Sequence, residues 1–157
     1  MTTKKQPVSL DISLVKKLRD ETGASIMACK KALEDAKGDL VKAKAYLAKH
    51  SDTVMEKTSA RETHEGVIVA YIHNTKHVGS MVEVRCETDF VANTKEFQSL
   101  ASELALHIAG MKPKDIPELL VQPYVRDPSR TIQSLISDTT QSMGEHIQVV
   151  RFARSEI

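Results

Sequence analysis

The spacing of apolar residues first changes at Gly66, and that change constrains the fold more than any other feature. Before it, apolar residues recur every three or four positions, as on one face of a helix; after it come two runs rich in β-branched residues. Gly66-Val-Ile-Val-Ala-Tyr-Ile-His73 and Val78-Gly-Ser-Met-Val-Glu-Val-Arg-Cys86 flank the turn-forming stretch Asn74-Thr75-Lys76-His77, so they read as a hairpin. Val82, Val84 and Cys86 alternate with Glu83, Arg85 and Glu87, which predicts one buried face on the second strand.

The helical part reads as three short helices within residues 1–49. Asp11 caps the first, Leu14, Val15 and Leu18 give its stripe, and Gly23 supplies a left-handed stop. Ser25 starts the second, with Ile26, Met27, Cys29, Ala32, Leu33 and Ala36 as its stripe and Gly38 at its end. Asp39 caps the third, which buries Leu40, Ala43 and Leu47. Connections this short fold neighbouring helices back on one another, giving a small bundle suited to docking. Residues 50–65 are polar and form a linker, either helical or a solvated spacer.

Residues 66–157 form a second unit. After the hairpin, Asn93 with Glu96 three positions on resembles a capping box. Phe97, Leu100, Ala101, Leu104, Ala105 and Ile108 make the face of the helix that follows, and Gly110 its stop. Pro113, Pro117, Pro123 and Pro128 restrict residues 111–128 to loops with at most a turn or two of helix. A last helix runs from Ser129 to Met143, Gly144 ends it, and His146–Ala153 reads as a strand. The fold class is α+β: an N-terminal three-helix bundle, then an antiparallel sheet of about three strands packed with helices.

Composition excludes several classes of function. No apolar run approaches the roughly 20 residues of a membrane helix, and residues 1–8 lack the apolar core of a secretory signal. Cys29 and Cys86 are too few for a disulfide framework, and each sits in an apolar stripe as a buried structural thiol. A cytoplasmic location follows as the expectation. Residues 1–49 hold eleven Lys and Arg against six Asp and Glu, whereas the remainder holds eleven against fifteen. Tyr46 is the only aromatic in the basic part, so a base-stacking surface is missing there; an acidic protein partner or a solvated face fits better than nucleic acid. No glycine-rich phosphate loop is present, so the chain is not expected to hold a nucleotide or other cofactor by itself. His73 and His77 straddle the hairpin turn without a Cys or carboxylate cluster and read as exposed turn histidines. Nothing resembles a triad, so covalent catalysis is not expected.

The unusual feature is Thr88-Asp89-Phe90, where one of only six aromatics lies between a strand end and a helix cap. A phenylalanine in such a connection either folds back over the core or protrudes to anchor in a partner's pocket. Asp89 either serves that loop or caps the helix after it.

Two segments carry a resemblance to a known family. Leu18-Arg19-Asp-Glu-Thr22-Gly23-Ala-Ser25-Ile26-Met27-Ala-Cys29-Lys30-Lys31-Ala32-Leu33 is similar to the amino-terminal signature of elongation factor Ts, and Glu83-Val84-Arg85-Cys86-Glu87-Thr88-Asp89-Phe90-Val91-Ala92-Asn93 to its core signature. Gly144-Glu145-His146-Ile147 looks like the family's closing helix-to-strand junction. The resemblance implies a guanine nucleotide exchange factor for elongation factor Tu that makes and breaks no covalent bond. It implies that the helical module, similar to a ubiquitin-associated fold, docks on the partner's GTPase domain through Arg19, Ile26, Met27 and Lys30. It further implies that the Thr88-Asp89-Phe90-Val91 loop displaces the partner's magnesium, with Phe90 wedged beside the nucleotide site, Asp89 shaping the loop or bonding partner backbone, and Thr88 and Val91 holding its ends.

The chain departs from the family pattern in two ways. Arg85 stands where the family usually has Asn. The second core half and inserted helical hairpin of longer members have no counterpart, since residues 111–128 alone fill that space. A homodimer would replace the missing half by completing the sheet layer and covering an exposed edge. Two other classes compete: a ubiquitin-like-binding adaptor built on the three-helix module, and a metal-dependent hydrolase using His73, His77 and Asp89.

Overall fold

The computed structural model describes residues 11–24 and 26–157, and at 51–56 the backbone alone. The expectations for residues 1–8 and for Ser25 lie outside the described residues.

Three helices open the structure. In α1 (Ile12–Thr22) the Asp11 carboxylate accepts the Ser13 N–H at 2.9 Å, and Gly23, at φ 69°, returns its N–H to the Arg19 carbonyl. α2 spans Ile26–Asp35 and α3 Leu40–Thr58, with Asp39 accepting from the N–H groups of Val41 and Lys42 at the start of α3. Val15, Leu18, Ala24, Cys29, Ala32, Leu33, Ala43 and Leu47 form their common core. The stripe of α2 is narrower than its apolar pattern: Cys29, Ala32 and Leu33 are buried, Ala36 is half-buried, and Ile26 and Met27 face water. Leu40 is half-buried rather than buried. Of the two forms expected for the polar spacer, helix holds as far as Thr58, because no Gly or Pro interrupts α3 and its flank packs on a later helix.

The main sheet has the order β1-β2-β5 and is antiparallel throughout. β1 (Glu65–Ile72) pairs with β2 (Val78–Cys86) from Glu65 opposite Cys86 to Ile72 opposite Gly79, and the turn closes with the His73 N–H on the Val78 carbonyl at 2.9 Å. β5 (Gln148–Glu156) occupies the other side of β2, with a register shift between Glu83 and Val84. The last strand therefore lies two to three residues later than expected, where it can match the full length of β2.

Helices cover one face of this sheet. α4 (Asp89–Ala92) is a single turn, α5 (Lys95–Met111) crosses the sheet, and α6 (Ile116–Val121) and α7 (Ile132–Met143) pack beyond it. Val82, Val84 and Cys86 meet Phe97, Leu100, Ala101, Leu104, Ala105 and Ile108 of α5, with Ile132 and Ile136 of α7 completing the core. The opposite face carries Ile68, Ile72 and Met81 in the open.

Several boundaries differ from expectation. Thr94, not Asn93, caps α5, its hydroxyl accepting the Phe97 N–H; Asn93 is spent closing α4. Gly110 is not the stop either: the helix ends one residue later with Lys112 in the left-handed region. Residues 111–128 hold the short α6, as expected, but also open a hairpin of β3 (Pro123–Tyr124) and β4 (Asp127–Thr131). α7 consequently begins at Ile132, under a Thr131–Ser134 capping box, rather than at Ser129. Glu83 is buried although it lies on the polar side of β2. Arg85 binds one of its oxygens at 2.6 Å and Arg151 the other at 2.6 Å, and these arginines hold its carboxyl below the usual carboxylate range.

Candidate partner interface

The β2 ladder ends at Cys86, and the chain must turn from strand to helix within two residues. Thr88 makes that turn in extended conformation (φ −125°, ψ 155°), and its hydroxyl accepts the Val91 N–H at 3.4 Å, so α4 is capped by Thr88 and not by Asp89. Val91 and Ala92 enter the core. Because residues 89 and 90 lie on the outer side of that single turn, Phe90 is left 83% exposed. Of the two orientations open to it, Phe90 protrudes.

Asp89 is also exposed, and its backbone carbonyl accepts from Asn93 N–H and Nδ2 at 3.0 and 2.9 Å. Its carboxylate engages no hydrogen bond or ion pair among the described residues. Thr88 and Val91 hold the ends of the loop, and only Asp89 and Phe90 present side chains outward.

The junction after α7 supports this loop from beneath. Gly144, at φ 72°, lets the chain leave α7 and run beside the end of β2. Glu145 accepts the N–H groups of Glu87 and Thr88, each at 3.1 Å, and the Thr88 hydroxyl at 2.6 Å. Glu87 returns the favour, accepting the His146 N–H at 2.6 Å and the Arg61 guanidinium at 3.4 Å. Arg61 also donates to the Gly144 carbonyl, and its own carbonyl accepts from His146 Nδ1 at 2.8 Å. No local sequence pattern marks Glu87, Glu145, Arg61 or His146 as supports of the loop, because their contacts span 26 to 85 positions. Behind the loop Cys86 is buried, and burial together with the Glu145 carboxylate pushes its thiol up to about 11.

The second predicted patch lies on the helical module. Arg19 is exposed in the last turn of α1; Ile26, Met27 and Lys30 are exposed on α2, with Met27 74% exposed. Spacings of three and four residues from Lys30 put Met27 and Ile26 on one helix face. Two exposed apolar side chains with a lysine one turn along the same face suit a partner surface with an apolar patch and acidic rim.

Among the described residues no three of His, Cys, Asp and Glu converge to hold a metal, and His73 instead meets the Tyr71 hydroxyl at 3.2 Å. No described helix is long and apolar enough to cross a membrane.

Comparison with known proteins decides the family. The family model described as Elongation factor TS matches residues 87–157. Elongation factor Ts of Coprothermobacter proteolyticus is 41% identical, the match covering 94% of this chain and 98% of that protein. The Elongation factor Ts proteins of Rubrobacter xylanophilus and Thermotoga maritima are 36% and 37% identical over 96% of this chain. The chain belongs to the elongation factor Ts family. Its members are translation elongation factors, and the mixed helix-and-sheet architecture agrees with that assignment. The alignment with the Coprothermobacter elongation factor Ts runs over 192 residues, longer than this chain, so that relative carries residues with no counterpart here. The matched segment of the elongation factor Ts model contains the whole Thr88–Val91 loop and Glu145.

Proposed function

We propose that the chain is a guanine nucleotide exchange factor for elongation factor Tu, binding its GDP-bound and nucleotide-free forms without covalent chemistry. The observation that carries this reading is Phe90, an apolar side chain held in water on a capped turn whose next two residues, Val91 and Ala92, are anchored in the core. In this reading Phe90 inserts into an apolar crevice beside the partner's nucleotide site, Asp89 bonds partner backbone, and the loop displaces the partner's magnesium.

Magnitudes set what each part must do. Burying one Phe contributes about 1.5–3 kcal/mol, a factor of roughly ten to a hundred in nucleotide affinity. Loss of magnesium removes charge that neutralises the phosphates and weakens binding further. Arg19, Ile26, Met27 and Lys30 supply docking energy from the helical module, residues 1–49, across the spacer 50–65 from the core 66–157. Linkage is reciprocal: whatever the factor takes from nucleotide affinity, nucleotide takes from the factor's, so incoming GTP expels it.

The uncovered sheet face fits a second copy of the chain. Ile68, Ile72 and Met81 lie exposed on the antiparallel sheet, with the Arg85–Glu83–Arg151 cluster among them. A homodimer through this face would supply the core half that longer members carry within one chain.

The exchange reading is tested by stopped-flow release of a fluorescent GDP analogue from elongation factor Tu, chased with excess GDP. Release accelerates with chain concentration and saturates. Binding without acceleration would overturn exchange and leave an adaptor built on the helical module.

A further inference from the structure

The turn from β2 into α4 is held by a carboxylate that lies on neither element. The β1–β2 ladder closes at Glu65 opposite Cys86, so the N–H groups of Glu87 and Thr88 have no strand partner beyond it. Backbone donors at such a position need an acceptor. Glu145 provides one oxygen to both, at 3.1 Å each, and gives the other to the Thr88 hydroxyl at 2.6 Å.

That last bond fixes direction as well as distance. A carboxylate only accepts, so the hydroxyl proton must point to Glu145, and the oxygen lone pairs then face the Val91 N–H at 3.4 Å. Glu145, Thr88 and Val91 thus form a relay across the loop whose middle residues are Asp89 and Phe90. The Glu87 carboxylate answers from the opposite side by accepting the His146 N–H, so each strand end is tied to the other by the neighbour's side chain. Phe90 itself, 83% exposed, has little packing of its own to set its direction.

We propose that Glu145 is a positioning residue for exchange: acting through Thr88, it sets the loop conformation in which Phe90 meets the partner. This rests on the reading of Phe90 as the wedge. Glu145 touches the partner in no step; its contribution is the geometry of the turn. Its removal lowers the maximal rate of nucleotide release and leaves the concentration for half-maximal release unchanged, because docking through the helical module is untouched.

The test measures saturating release of a fluorescent GDP analogue from elongation factor Tu by Glu145→Gln, Phe90→Ala and the double variant, with thermal unfolding of each. Gln keeps the size, but one of its two ends is an N–H₂ that cannot accept: with Oε1 on the Glu87 and Thr88 N–H groups, the N–H₂ faces the Thr88 hydroxyl and reverses that bond. The expected result is a roughly tenfold lower maximal rate for Glu145→Gln, part of the roughly ten- to hundredfold that burial of Phe90 supplies. Half-saturation stays unchanged, and no further loss appears when the substitution is added to Phe90→Ala. A wild-type rate for Glu145→Gln beside a slow Phe90→Ala overturns the positioning role and leaves the wedge standing. An equal loss in the Phe90→Ala background also overturns it, since Glu145 would then act independently of Phe90. A wild-type rate for Phe90→Ala removes the wedge reading and this role with it. Thr88→Val, which deletes the relay hydroxyl, must reproduce the same pattern if Glu145→Gln does not fold.

Discussion

Phe90 and Val91 are consecutive residues on one helical turn, yet Phe90 is 83% exposed and Val91 is packed in the core at 8%. The boundary between water and interior passes between them. A side chain displayed this way contributes little to folding, so its substitution separates function from stability more cleanly than most.

Met27 is the most exposed apolar side chain of the α2 patch, and docking is the role proposed for it. Met27→Asp should raise the concentration of chain needed for half-maximal nucleotide release by roughly tenfold, the loss expected for one buried apolar contact. The maximal rate should stay near wild type, and a titration of release against chain concentration separates the two.

His107 lies fully buried on α5, with Nε2–H donating to Gln122 Oε1 at 2.9 Å and Nδ1 accepting the Val125 N–H at 3.2 Å. Both nitrogens are committed to the neutral ring, and burial holds the imidazole below its ordinary value near 6.5. The unfolded chain therefore takes up the proton first as pH falls, so stability is present above that value and declines below it. The melting temperature should drop between pH 7.5 and 5.5, and His107→Gln should flatten that slope.

Gly66 pairs with Arg85 across the hairpin, and a Cβ added there would stand 2.2 Å from the Val84 carbonyl oxygen and 2.8 Å from the Arg85 Cα. Both obstacles are backbone, so β1 must shift away from β2. Gly66→Ala should cost about 1–3 kcal/mol, the range for overpacking, seen as an earlier urea midpoint with an unchanged slope.

Both cysteines are buried, and burial raises each thiol, Cys86 to about 11. At pH 8 Cys86 is about one-thousandth thiolate. A thiol reagent should find neither cysteine within minutes in the native protein and both in denaturant.

The sequence made the architecture legible because helical spacing before Gly66 and alternation after it are local signals. Asp11, Gly23 and Asp39 punctuate the helices as their chemistry dictates. The illegible parts depend on partners distant in the chain. Glu83 looked solvent-facing by alternation and is enclosed because Arg151, 68 positions away, comes alongside on β5. The β3–β4 hairpin hid among prolines, since short strands carry too few residues to show a period. Ile26 and Met27 belonged to the apolar pattern of α2 yet lie outside its core. A bundle this small offers too narrow a contact to bury a whole stripe. Phe90 was open to either orientation until the Thr88 cap and the burial of Val91 fixed the turn. Its supports, Glu145 and Glu87, were invisible for the same reason as Arg151.

The central claim is that Phe90 is displayed in order to loosen nucleotide in a partner. The most direct measurement is the saturating rate at which Phe90→Ala releases a fluorescent GDP analogue from elongation factor Tu, beside wild type. The account predicts a maximal rate lower by about ten- to a hundredfold, the equivalent of one buried phenylalanine, with an unchanged melting temperature. A folded Phe90→Ala that releases nucleotide as fast as wild type would contradict it.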